Sequence, residues 1–190
     1  MLPVFTLANK EEKPLQYEVN GQPQAVFYAD IAAAKKEFED ARDQYEMGAC
    51  DLIAVGLGTA YKLSCDAKAS IVPGRAELTA CGMPAEMSPI GQDVPLFACM
   101  QMSKEKDGGG SVLPVFMSFE DCEAALTEAR EADPFLEITP LSLPSIVEHL
   151  STVANGEEPF EFVAASRSTR HIESYVGNGV YARVVDEEEE

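Results

Sequence analysis

Short stretches of this chain return, in the same order, about 90 residues later. Pro3-Val4-Phe5-Thr6-Leu7 returns as Pro95-Leu96-Phe97-Ala98-Cys99, and Ala25-Val26-Phe27-Tyr28-Ala29 returns as Pro114-Val115-Phe116-Met117-Ser118. Further on, Glu39-Asp40-Ala41-Arg42 returns as Thr127-Glu128-Ala129-Arg130, and Asp51-Leu52-Ile53-Ala54-Val55-Gly56-Leu57 as Glu137-Ile138-Thr139-Pro140-Leu141-Ser142-Leu143. Ser70-Ile71-Val72-Pro73 returns as Glu161-Phe162-Val163-Ala164. Order and spacing kept together point to a duplicated unit, with Phe27 matched to Phe116 and Leu57 to Leu143. A duplicated unit predicts two halves related by a pseudo-twofold axis. Paired, similar surfaces suit binding better than one asymmetric catalytic centre.

Each unit opens with a strand, a polar connection and a second strand. The first connection holds a short strand, Leu15 to Val19, and Asn20-Gly21, a dipeptide that favours a tight hairpin; the second holds the flexible turn Asp107 to Ser111. An amphipathic helix follows. Ile31, Ala34, Phe38, Ala41 and Tyr45 recur at helical spacing, as do Phe119, Cys122, Leu126 and Ala129. Asp30 and Ser118 stand where side-chain oxygens cap helix N-termini. A third strand (52–57 or 138–143) leads to a short helix (59–63 or 144–150), with Pro144 suited to a first turn. A fourth strand, centred on Ile71-Val72 or Phe162-Val163, precedes a last helix from near Pro73 or Ser166. Val180 to Val185 reads as a closing strand. The prediction is therefore a mixed α+β fold of two β-β-α-β-α-β-α units sharing one core. Residues 1–185 form a single domain of two repeats, 2–93 and 94–185, and 186–190 form a disordered acidic tail. The Pro-rich stretch Met83 to Pro95 joins the repeats as a crossover loop.

With 14 Lys and Arg against 33 Asp and Glu, the formal net charge is −19. A phosphate backbone or an anionic membrane surface needs a basic partner, so nucleic acid and acidic lipid are disfavoured. A basic peptide is attracted instead. No apolar run is long enough to cross a bilayer. Met1-Leu2 leads directly into the first strand, so a targeting segment is expected to have been trimmed.

Chemistry-bearing motifs are thin. Gly56-Leu57-Gly58 lacks the third glycine of a dinucleotide fingerprint, and no phosphate loop follows it. His149 and His171 have no ligand at metal spacing, and Cys50, Cys65, Cys81, Cys99 and Cys122 form no Cys-x-x-Cys pair. The cysteines read as small buried hydrophobes. No metal, cofactor or catalytic residue is predicted, although a cysteine and a histidine distant in sequence could still meet. Binding signals are better. Met83, Met87, Met100, Met102 and Met117 cluster around the joint of the repeats, and methionine-rich surfaces adapt to varied partners. The two middle helices carry Tyr61, Leu63, Ile146, Val147 and Leu150. The candidate protein-binding residues are Leu57, Tyr61, Leu143, Val147, Met100 and Met102.

Several of these motifs together resemble a known family. They are Pro3 to Leu7, Val26-Phe27-Tyr28, Val55-Gly56-Leu57-Gly58-Thr59-Ala60-Tyr61, Val94 to Phe97, Leu113 to Asp121, and Phe162 to Ser166 with Ile172-Glu173. Their joint order resembles the Tic twenty-two family, the small soluble subunit of the translocon at the inner envelope membrane of chloroplasts, with cyanobacterial relatives. The acidic tail, the Gly108 to Gly110 run and the cysteine content depart from it and mark a divergent member. The resemblance implies a pseudo-symmetric α/β fold with apolar pockets, located in the plastid envelope intermembrane space or beside the thylakoid. It implies a non-enzymatic, chaperone-like role without ATP, holding unfolded or basic preproteins and transit peptides during import. An accessory or linker subunit of a photosynthetic or translocon membrane complex is the alternative, and a small-molecule or thiol enzyme is a third reading.

Overall fold

The fold is that of a computed structural model, which describes residues 2–19, 21–45, 50–105, 111–153 and 159–177. In chain order the elements are β1 (Pro3–Ala8), β2 (Gln16–Val19), β3 (Gln22–Tyr28), α1 (Ile31–Tyr45), β4 (Asp51–Gly56), α2 (Leu57–Cys65), β5 (Ala69–Val72) and α3 (Arg75–Ala80). Then come β6 (Pro95–Ala98), β7 (Lys104–Glu105), β8 (Ser111–Phe116), α4 (Phe119–Thr127), α5 (Ala129–Ala132), β9 (Thr139–Ser142), α6 (Leu143–Thr152), β10 (Phe160–Val163) and α7 (Ser166–Gly177). The fold is mixed α+β, as the sequence predicts.

The strands form two sheets. The first runs β2-β3-β1-β4 with β5 added parallel to β3, and the second runs β10-β8-β6-β9 with β7 on β8. Each contains one parallel pair, β3–β5 or β8–β10. Parallel neighbours need a long crossover, and the chain supplies it as helix, strand, helix.

The ladders fix which residues hold like positions. Phe5 pairs with Tyr28 as Phe97 pairs with Phe116. Tyr28 pairs with Val72 as Phe116 pairs with Val163. Leu57 donates its N–H to Leu2 O at 2.8 Å as Leu143 donates to Val94 O at 2.9 Å. Phe116 therefore corresponds to Tyr28, and matching it with Phe27 is one residue out. One residue along a strand is the opposite face of the sheet. The α1 stripe of Ile31, Ala34 and Ala41 packs with Phe5, Leu7, Val26 and Tyr28, while Phe27 lies on the other face at 1% exposure.

Helix starts follow the sequence closely. Asp30 Oδ1 accepts from Ala32 N at 3.1 Å, and Ser118 Oγ accepts from Asp121 N at 3.3 Å. Ser142 Oγ accepts from Ser145 N at 3.3 Å, with Pro144 in the first turn of α6. Gly21 sits at φ +77°, the left-handed conformation that the β2–β3 hairpin requires. Three local differences appear. The second amphipathic helix breaks at Glu128 into α4 and α5, the fourth-strand helix of the first repeat starts at Arg75, and β7 was not anticipated. The closing strand 180–185, the tail 186–190, the Gly108–Gly110 run and the Tyr45 side chain lie outside the described residues.

By contacts the chain forms two compact units. One comprises Met1–Arg75, Ser88–Gln92 and the chain from Arg167 on; the other comprises Ala76–Met87 and Asp93–Ser166. Helix α3 follows the first sheet yet groups with the second unit, and α7 follows the second sheet yet groups with the first. In the first unit Arg167 Nε lies 3.0 Å from Asp30 Oδ1, Ile172 packs on the Phe5 cluster, and the His171 ring meets Phe5 edge-on at 5.7 Å. In the second unit Cys81, just past α3, packs with Phe97, Cys99, Cys122, Leu126 and Leu136.

Two outcomes are expected. Phe27→Ala should cost about 3–5 kcal/mol in urea unfolding, whereas Phe116→Ala, whose ring is half-buried, should cost about half as much. Equal losses would show that the Phe116 ring is as fully packed as that of Phe27. The second concerns pH. Burial, aided by Lys35, lowers the His171 pKa below its ordinary 6.5. The unfolded chain then takes up this proton at higher pH than the native one, so His171 costs no stability above the ordinary histidine range and costs progressively more as pH falls through it. The urea midpoint should drop between about pH 7.5 and 5.5, and His171→Phe should flatten that part of the profile.

Candidate functional site

The second unit carries a cavity of about 190 Å³. It lies opposite a proline in β8. Leu113 and Met117 donate their N–H groups to Pro159 O and Val163 O on the β10 side. By alternation the nitrogen of Pro114 faces the other side, where β6 and β7 lie, and it has no proton to give. On that side β7 pairs only as far as Val112 and β6 only at Phe116. The stretch Cys99 to Ser103 leaves the sheet between them, and the cavity lies there.

Its walls are Pro114 and Phe116 of β8, Cys99 and Met102 from the connection, and Cys122, Ala125 and Leu126 of α4. The α4 residues stand at i, i+3 and i+4, so they share one helix face. Ser103 and Lys104 complete the lining; both are exposed. Lys104 Nζ lies 3.0 Å from Glu161 Oε2, but both side chains are about half in solvent, so the pair contributes little. Cys99 Sγ donates to Gln101 Oε1 at 3.2 Å. Burial, with smaller effects of Cys99 and Glu123, pushes the Cys122 thiol up to about 11 despite the opposing charge of Arg130. At neutral pH Cys122 is thus a neutral, polarizable wall and a poor nucleophile. The cavity has roughly the volume that one large apolar side chain or aromatic ring fills. No His, Asp or Glu stands among its lining residues.

Of the six residues singled out in the sequence, Met102 lines this cavity. Met100 is 58% exposed and lies outside its lining. Leu57 and Leu143 are buried at the starts of α2 and α6, and Tyr61 and Val147 are half-buried on those helices. Phe116, Cys99, Cys122 and Leu126 were read as structural, and their meeting depends on the break opposite Pro114. The histidines make aromatic contacts: His149 with Phe160 at 5.5 Å, His171 with Phe5 and with Tyr175 at 4.4 Å. Among the described residues no group of three His, Cys, Asp or Glu side chains could hold a metal ion. No described helix is long and apolar enough to cross a membrane.

Cys65 is exposed and Cys99 and Cys122 are buried. Iodoacetamide at pH 7.5, followed by peptide mass spectrometry, should therefore label Cys65 at least about a hundredfold faster than Cys122 until denaturant is added. Comparable rates in native protein would show a reactive cavity thiol and favour the enzyme reading.

No protein-family model and no curated protein matches the sequence. Solved structures do match. "Tic22 from Plasmodium falciparum" superposes with a TM-score of 0.73 at 17% identity, covering 94% of this chain and 95% of that one. "Anabaena Tic22 (protein transport)" superposes with a TM-score of 0.69 at 18% identity, covering 91% of this chain and 92% of that one. Over more than nine-tenths of its length, the chain has a Tic22-like fold.

Proposed function

We propose that this protein is a non-enzymatic polypeptide-binding factor that serves protein import into plastids, holding basic, unfolded precursor segments without nucleotide. The observation that carries this reading is a mostly apolar, thiol-lined cavity on a chain of net charge −19. Support comes from the fold, which resembles that of Anabaena Tic22, a protein of protein transport. Opposite charge gathers and steers basic segments, and the cavity takes an apolar side chain from them. The plastid envelope intermembrane space is the compartment that goes with this role. Tyr61 on α2 and Val147 on α6 are each proposed as a further apolar contact in its own unit. One observation favours the accessory-subunit alternative: Phe135 stands 83% exposed on a turn, which suits permanent docking.

The test is binding of a fluorescent transit-type peptide rich in lysine, arginine and leucine, together with light scattering of a denatured client. Affinity should fall several-fold with added salt, because exposed charges are screened beyond about 8 Å at physiological ionic strength. A salt-resistant part should remain. Ala125→Gln, at an exposed α4 position on the cavity wall, should weaken that part about tenfold, close to 1.4 kcal/mol. A charged residue at Tyr61 or at Val147 tests each of these contacts separately in the same assay. No binding at low salt, with client aggregation unchanged, would overturn the reading in favour of the accessory subunit.

A further inference from the structure

We propose that the cavity of the second unit selects an aromatic side chain, a phenyl ring above all, from the polypeptide it holds; this rests on the polypeptide-binding reading above. The two units differ at this place position by position. Leu15 donates its N–H to Leu7 O at 2.8 Å as Met102 donates to Cys99 O at 3.0 Å. Tyr17 pairs with Gln24, four residues before Tyr28, as Lys104 pairs with Val112, four residues before Phe116. Phe38 and Leu126 hold the same step of the helical stripes that begin at Ile31 and Phe119. Lys104 thus holds the place of Tyr17, Leu126 that of Phe38, and Cys99 that of Leu7.

In the first unit Leu15, Tyr17 and Phe38 pack onto the core of Phe5, Leu7, Val26 and Tyr28. In the second, Lys104 is exposed and ion-paired with Glu161, Leu126 is aliphatic where the first unit has a ring, and Cys99 is smaller than Leu7. All three line the cavity. The cavity therefore lies where the first unit keeps its own aromatic rings. Its volume of about 190 Å³ suits one ring, since an apolar cavity of about 150 Å³ takes up benzene. The lining favours a ring over an aliphatic group of like size. Three of its nine residues, Cys99, Met102 and Cys122, carry sulfur, which makes favourable contacts with aromatic rings. Phe116 offers an edge-to-face partner. Lys104 sets a cation at the rim, which attracts a ring and repels the lysines and arginines of a basic client, so those stay outside. Ser103, Lys104 and Ala125 are exposed, so the mouth is open to solvent.

The probes are four fluorescent ten-residue peptides rich in lysine, identical but for a central phenylalanine, cyclohexylalanine, leucine or alanine. At about 0.5 M salt, where attraction between exposed charges is screened, anisotropy should rank phenylalanine first. Its affinity should stand about fivefold above cyclohexylalanine and leucine, and further above alanine. Leu126→Phe, which copies Phe38, should remove that ranking and raise the melting temperature, because it fills the cavity from within. Should that variant misfold through overpacking, Lys104→Tyr, at an exposed position and copying Tyr17, makes the same test. Equal binding of the phenylalanine and cyclohexylalanine peptides overturns the proposal, as does a folded, filled variant that keeps the ranking. So does a concentration-dependent dimer that the filled variant abolishes, which would give the cavity to a second copy of the chain. All four peptides binding alike, with client aggregation still suppressed, rejects the selectivity and leaves the polypeptide-binding reading standing; no peptide bound at low salt, with aggregation unchanged, rejects both.

Discussion

Strands β1 and β6 are the beams on which each sheet rests. β1 is buried at all six positions and β6 at all four, and each pairs on both sides. A buried backbone must have its N–H and C=O groups paired, and two antiparallel neighbours do this for most of each strand. Everything else is placed by these ladders. They put Leu57 and Leu143 at the mouths of α2 and α6, they bring Tyr28 and Phe116 against Phe5 and Phe97, and they leave β4 and β9 as ends. Side-chain packing then fills a frame already fixed by backbone bonds.

The order of elements, the helix stripes and the caps were legible in the sequence because each is local. Asp30 and Ser118 each cap within three residues, and the α1 stripe shows the helical period directly. Register between strands is not local. Ala25, Val26, Phe27 and Tyr28 are all buried, so no apolar–polar alternation tells which residues share a face. A one-residue slip was therefore invisible in composition and became visible only in the ladders. The break at Glu128 was hidden for a related reason, since Ala129 continues the apolar spacing on either side of it.

The cavity was the least legible feature. Periodicity marks residues that face a core, but a cavity is a place where the core fails to close. Here it fails where Cys99 to Ser103 leave the sheet between β6 and β7, opposite Pro114, which has no N–H to offer on that side. Pro140 likewise brings no N–H to β9, the end strand of the same sheet.

The exchange of helices has a consequence for how the molecule is made. Ile172 and His171 of α7 pack onto a sheet whose described strands all lie within the first 72 residues. A chain emerging end-first from a ribosome or through a membrane pore has its first sheet exposed, with part of that core still missing, until α7 arrives. Contacts this far apart in sequence are slow to form and leave apolar surface open meanwhile. The core of the first sheet is therefore finished only when α7, more than 90 residues further along the chain, has packed onto it.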